Sequence, residues 1–136
     1  MPGLEDKLKA ILFKLSQSSP EIQASAVVSM DGLMLASALS PGTKDDDVAA
    51  IAATLLGLGE RTVEEFRQGS LEQVYVKGSK GYTIITNTGQ DTVLVVVTDE
   101  NAKLGLIFFQ IRIVAREIVQ AFANLLESPG SGPYMR

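Results

Sequence analysis

The run Thr92-Val93-Leu94-Val95-Val96-Val97-Thr98 constrains this chain more than any other segment. Side chains alternate between the two faces of a strand, so an apolar β-branched run puts oily groups on both faces, and both must be covered. The chain therefore needs a sheet with a layer packed on each side, and this strand belongs in its middle. The polar stretch Asp99-Glu100-Asn101-Ala102-Lys103 leads on to a long apolar-striped segment, Leu104 to about Leu126, which reads as a helix lying along that sheet. Its apolar residues Leu104, Phe108, Ile111, Ala115, Ile118, Phe122 and Leu125 recur at alternating steps of four and three, one buried seam that Ile107, Val114 and Leu126 widen. The repeat covers only about three heptads, which suits a core helix better than a coiled coil.

Elsewhere the pattern is as regular. Leu4, Leu8, Ile11, Leu12 and Leu15 mark an amphipathic helix from Leu4 to about Leu15, stopped by Ser18-Ser19-Pro20. Ala24–Ser29 and Leu33–Ala38 read as strands hinged at Asp31-Gly32, a dipeptide that accepts the positive φ of a tight turn. A second helix, opened by the acidic run Asp45-Asp46-Asp47, is expected to reach Gln68. Three strands then follow, Leu71–Lys77, Tyr82–Thr88 and Thr92–Thr98, and their short glycine-bearing links, Gly78-Ser79-Lys80-Gly81 and Thr88-Gly89-Gln90-Asp91, specify an antiparallel meander. The first alternates Leu71, Gln73, Tyr75 and Lys77 with Glu72, Val74 and Val76, as an edge strand does. The order is α-β-β-α-β-β-β-α: one domain over 1–127, then a proline- and glycine-bearing tail, 128–136, expected to be flexible.

The long second helix carries more apolar surface than one sheet can hide. Around Ile51, the residues Val48, Ala52, Leu55, Leu56, Leu58, Gly59, Thr62, Val63 and Phe66 fall within an arc of roughly 160° at 100° per residue. The far side bears Ala50, Ala53, Gly57, Glu60, Arg61, Glu64 and Gln68. The excess needs a partner.

Composition removes most chemistry. The chain has no histidine and no cysteine, which takes away the commonest general base, zinc ligands and soft nucleophile, along with any disulfide framework. A net charge of −4 works against nucleic-acid binding. With 46% hydrophobic residues there is still no run of about 18 to 20 apolar residues to span a bilayer and no secretion signal, so a cytoplasmic protein is expected. Asp45, Asp46 and Asp47 point in different directions on a helix start and read as dipole complements rather than a metal site. Gly78-Ser79-Lys80-Gly81 joins two strands and reads as a turn, not a phosphate cradle. Arg61, Arg67, Arg112 and Arg116 lie near Glu60, Glu64 and Glu117, which favours solvated or ion-paired arginines over an arginine finger. Phe108, Phe109 and Phe122 are the residues that would line a ligand cavity between sheet and helix. Phe108 and Phe122 sit on the apolar seam and are assigned to the core, and Phe109 lies off it.

Two segments, Val27-Val28-Ser29-Met30-Asp31-Gly32-Leu33-Met34-Leu35-Ala36 and Thr92 to Gly105, in this order around a central helix, resemble the roadblock/dynein-light-chain family, in its MglB-like branch. The resemblance implies an α+β fold: a five-stranded antiparallel sheet with the long helix on one face and the terminal helices on the other. It implies a homodimer in which Leu71–Lys77 pairs with its copy and the long helices pack side by side, with Ala52, Leu56, Gly59, Val63, Phe66, Val74, Tyr75 and Val76 at the interface. It also implies a non-catalytic scaffold, without cofactor or metal, that regulates a small Ras-like GTPase. Helical geometry nominates Ala53, Gly57, Glu60, Arg61 and Glu64 to meet that partner. The other function considered is a small-ligand sensor with a cavity between sheet and helix.

Overall fold

The computed structural model describes residues 3–127. Its elements are α1 (Leu4–Ser18), β1 (Ile22–Ser29), β2 (Met34–Ala38), α2 (Asp45–Glu65), β3 (Gln73–Gly78), β4 (Gly81–Gly89), β5 (Thr92–Asp99) and α3 (Leu104–Glu127). The strands form one antiparallel sheet in the order β2-β1-β5-β4-β3, with the apolar strand in the middle. This is the α+β architecture the resemblance implies.

β5 supplies both cores. Val93 and Val95 point to the α2 side, where they pack with Ala26, Val28, Ile85, Ala49, Ala52 and Leu56. Leu94 and Val96 point the other way, into a larger cluster with Val27, Ile84, Leu8, Leu12, Ile107, Ile111 and Ile118. Each fully buried valine or leucine contributes about 1.5–3 kcal/mol, so one strand anchors both layers.

The two hairpin turns solve the same problem differently. In the β1–β2 turn the Gly32 N–H donates to the Ser29 carbonyl at 3.0 Å and the Ser29 N–H to the Leu33 carbonyl at 2.8 Å. Only Gly32, at φ +89°, uses the left-handed region, and Asp31 does not. In the β4–β5 turn the non-glycine pair Gln90 and Asp91 both take φ of 57°, the mirror-image turn that matches strand twist. The turns meet where the Met30 N–H donates to the Asp91 carbonyl at 2.9 Å.

Several boundaries differ from expectation, each for a local reason. α1 runs on to Ser18, with the Ser16 and Ser18 hydroxyls donating to the Leu12 and Leu15 carbonyls at 3.2 and 2.7 Å. α2 stops at Glu65 rather than Gln68: Arg67 turns left-handed at φ 55° and the Gln68 N–H donates back to the Val63 carbonyl at 2.7 Å, a Schellman closure without a glycine. Because β3 begins only at Gln73, its alternation does not reach Leu71, which packs on the α2 side and not on the face of Tyr75. On α3 the buried line is Ile107, Ile111, Val114, Ile118 and Ala121, while Leu104, Phe108 and Phe122 are only partly covered and Leu125 is exposed. α3 packs on α1 as well as on β4, and contact with two neighbours turns its buried stripe away from the expected seam. The Leu126 side chain and the tail 128–136 lie outside the described residues.

Gly81 faces the backbone of Thr98, whose carbonyl occupies the place a Cβ would take. Gly81→Ala is therefore expected to lower unfolding stability by about 1–3 kcal/mol, measured by urea denaturation at fixed protein concentration.

Candidate functional site

α2 packs on β1, β2 and β3. Its sheet-facing line is Ala49, Ala52 and Leu56, all buried, with Gly59 and Val63 continuing it half-buried. Small residues let the helix come close: a Cβ on Gly59 would lie 2.8 Å from a Val74 methyl and 3.1 Å from Leu71. Rotated toward β3 lies a second apolar line, Ile51, Leu58 and Phe66, exposed to 56%, 59% and 69%. Among the described residues no element of the protomer covers it. The half-buried Leu55 and the exposed Thr62, whose hydroxyl donates to the Leu58 carbonyl at 2.7 Å, fall between its members.

The uncovered surface continues onto the sheet. Among the described residues β3 pairs only with β4, so its outer row of N–H and C=O groups has no strand partner there. Val76 on this strand is 41% exposed beside Val74, which packs against α2's cluster. On the opposite face Tyr75 stacks on Tyr82 at 5.8 Å and tilts against Phe108 at 6.1 Å, while the Lys77 ammonium sits 5.9 Å from the Tyr82 ring. Partial desolvation first, and the neighbouring Tyr82 phenol second, push the Tyr75 pKa above the usual tyrosine range.

The residues nominated for a dimer interface thus separate into two groups. Phe66, Tyr75 and Val76 are exposed. Ala52 and Leu56 are committed to the protomer's own core, and Gly59, Val63 and Val74 are half-buried along the contact between α2 and the sheet. Ile51 and Leu58 are the exposed residues missed by that nomination, and the excess width of the apolar arc was the signal for them. Of the residues nominated for a GTPase, Gly57, Glu60, Arg61 and Glu64 are exposed on the other flank of α2. Ala53 is half-buried beneath the β1–β2 turn, its methyl 3.5 Å from where a Cβ on Gly32 would stand.

The α2 layer is acidic. Asp45, Asp46 and Asp47 fill the helix's first turn without a side-chain cap, where they complement its dipole, and Asp45 accepts a hydrogen bond of 3.0 Å from the Ser37 hydroxyl. Among the described residues no group of three His, Cys, Asp or Glu side chains is placed to hold a metal ion. A concavity of about 700 Å³ is an open trough at the margin between α3 and the β3–β4 edge, bordered by Glu72, Gln73, Asn87, Phe108 and Arg112. Phe108, Phe109 and Phe122 do not converge on it: Phe122 packs against the core and Phe109 points out, 55% exposed.

A family model described as the Roadblock/LC7 domain matches residues 8–98. Two proteins of Methanocaldococcus jannaschii, uncharacterized proteins MJ1340 and MJ0310, are each 38% identical over 113 residues, 82% of this chain and 96% of each relative. Among solved structures, a Roadblock/LC7 domain from Streptomyces avermitilis superposes with a TM-score of 0.79 at 21% identity, covering 85% of this chain and 97% of that one. Myxococcus xanthus MglB superposes with a TM-score of 0.81 at 21% identity, covering 88% and 90%. At such identities the structural likeness establishes the fold.

The glycines of α2 make opposite demands. Gly57 has open space where a Cβ would go, so Gly57→Ala is expected to raise stability by about 0.5–1 kcal/mol through helix propensity. Gly59→Ala should instead lower it by about 1 kcal/mol, because the new methyl meets Val74 and Leu71. Urea unfolding of both at one protein concentration reads the difference.

Proposed function

Because the chain belongs to the Roadblock/LC7 domain family, matched over residues 8–98, we infer that it acts as a cytoplasmic homodimeric platform that binds and regulates a small Ras-like GTPase without donating a catalytic residue. The supporting observation is the uncovered surface formed by Ile51, Leu58 and Phe66 of α2 beside the unpaired edge of β3 with Val76. Exposed apolar surface next to a free strand edge is the combination that a second copy resolves, since edge-to-edge pairing satisfies the backbone while the helices bury each other's side chains. Around a two-fold axis the same patch serves both subunits. Val76 and the two α2 stripes then meet across the seam, with no residue asked to leave its own core.

The flank bearing Gly57, Glu60, Arg61 and Glu64 stays open in such a dimer, and it is the surface proposed to meet the GTPase. Holding a partner's switch loops in their productive arrangement lowers the barrier to hydrolysis by orienting groups the partner already owns. A chain without histidine or cysteine suits that role, and the MglB-like resemblance of the sequence points the same way.

Leu58 and Val76 are better places to test the interface than Gly59, where a charge would strike the protomer's own packing first. Leu58→Glu and Val76→Glu are each expected to reduce the light-scattering mass from two chains to one with the helical signal retained, because a carboxylate would be buried unpaired. A parent chain that is monomeric at micromolar concentration, or variants that stay dimeric, would remove the interface. With Ras-like GTPases from the same genome, the parent should change the rate of phosphate release, and Glu60→Lys with Glu64→Lys should weaken binding about tenfold, roughly 1.4 kcal/mol, without changing the mass.

A further inference from the structure

The surface of α3 that faces away from the sheet is unlike the rest of the molecule. Leu106, Phe109 and Ile113 stand on it at successive turns, exposed to 49%, 55% and 43%. They are not part of the core, whose line on this helix is Ile107, Ile111, Val114 and Ile118. At 100° per residue they form a ridge pointing outward from the protomer. The ridge borders an apolar groove of about 290 Å³ between α1 and α3, floored by Leu15 and Val114 and rimmed by the 3.3 Å ion pair of Lys14 with Glu117.

Its charge runs against the chain's. The protein carries −4 overall, yet the segment from Lys103 to Arg116 contains Lys103, Arg112 and Arg116 and no acidic residue. Arg112 and Arg116 are exposed, and among the described residues the ion pairs are Lys9–Glu5 and Lys14–Glu117, which leaves both guanidiniums uncommitted to a carboxylate. Lys103 and Glu21 border a common concavity beside the end of α1.

We propose that the Leu106–Phe109–Ile113 ridge with Arg112 and Arg116 is a docking surface for an anionic lipid bilayer, used without spanning it. An interfacial helix needs apolar tips that enter the boundary between headgroups and acyl chains, flanked by cations at the level of the phosphates. This ridge has both, and its inner face is already fixed to a folded body, so docking orders no new chain. A second copy is the poorer occupant: ridge against ridge would bring Arg112 and Arg116 of both chains together, and like charges repel. In the dimer proposed above, antiparallel β3 strands share a two-fold axis perpendicular to the sheet, so both ridges face one plane, as a flat membrane requires. The chemistry of each ridge does not depend on that dimer.

The test is co-sedimentation of the full chain with extruded vesicles of phosphatidylcholine alone or mixed in equal parts with phosphatidylglycerol. The bound fraction is expected to be about tenfold greater on the anionic vesicles and to fall with added salt. Phe109→Glu and the double variant Arg112→Glu, Arg116→Glu should each return it to the phosphatidylcholine level while the solution mass stays as in the parent. Monomeric Leu58→Glu should retain the preference for anionic lipid at lower occupancy, and a parent found to be monomeric that still binds anionic vesicles would support the ridge while overturning the dimer. Failure of the parent to bind anionic vesicles, binding that survives both ridge changes, or a drop in solution mass on Phe109→Glu without lipid would overturn the proposal, the last by making the ridge a contact between copies.

Discussion

Two-sided burial of β5 is the constraint on which the rest of the structure depends. Val93 and Val95 are buried on the α2 side and Leu94 and Val96 on the α1–α3 side. A strand of this kind cannot sit at an edge or in a two-layer fold, because either arrangement would return half of its side chains to water. Its neighbours follow from it. β1 must be apolar on both faces as well, and Ala26, Val27 and Val28 are all fully buried. The outer strands β2 and β3 need cover on fewer positions and are correspondingly more exposed.

The uncovered surface of α2 and β3 arises where this requirement lapses. α1 packs on β1 and β2, α3 packs on α1 and β4, and among the described elements α2 alone lies on the opposite face. One helix is about 10 Å wide and neighbouring strands are about 4.8 Å apart, so α2 cannot roof five strands. What is left open is the β3 side of α2 and the edge of β3. The core is thus complete in the middle of the sheet and incomplete at one margin. That margin carries the exposed Ile51, Leu58, Phe66 and Val76, which is why one incompletely covered edge can account for both the excess apolar width of α2 and the proposed pairing.

The same physics explains what could be read from the sequence and what could not. The element order and the central place of β5 were legible, because they depend on periodicities of two and 3.6 residues that single residues seldom disturb. The end of α2 was not, because the apolar period continues through Phe66 while Arg67, not a glycine, adopts the left-handed closure. The direction of each helix was harder still. A wheel gives angles between residues but no absolute orientation, so the wide arc of α2 held both the sheet-facing Ala52 and Leu56 and the free Ile51 and Leu58 without distinguishing them. On α3 the stripe was misaimed because α1 shares in its burial, a contact between helices at opposite ends of the chain. Phe109 lay off the expected seam, and it stands on the exposed ridge.

Charge is distributed between the two layers as unevenly as exposure. α2 bears Asp45, Asp46, Asp47, Glu60, Glu64 and Glu65 with Arg61 as its basic residue, whereas α3 bears Arg112 and Arg116 before its first acid, Glu117, which is paired with Lys14. Neither set contributes to the cores, so folding does not require the separation. Because the sheet lies between the layers, charges on opposite faces are separated by two layers of side chains at about 10 Å each, beyond a Debye length of about 8 Å at physiological salt, and each face presents its own field to what approaches it. An acidic α2 face repels anionic surfaces while the α3 face attracts them, so the molecule would meet a bilayer in one orientation, with α2 turned to the solvent. A soluble partner that docks on α2 would then be held at a fixed height above the membrane, which couples the proposed GTPase platform to place without any contact between the two sites.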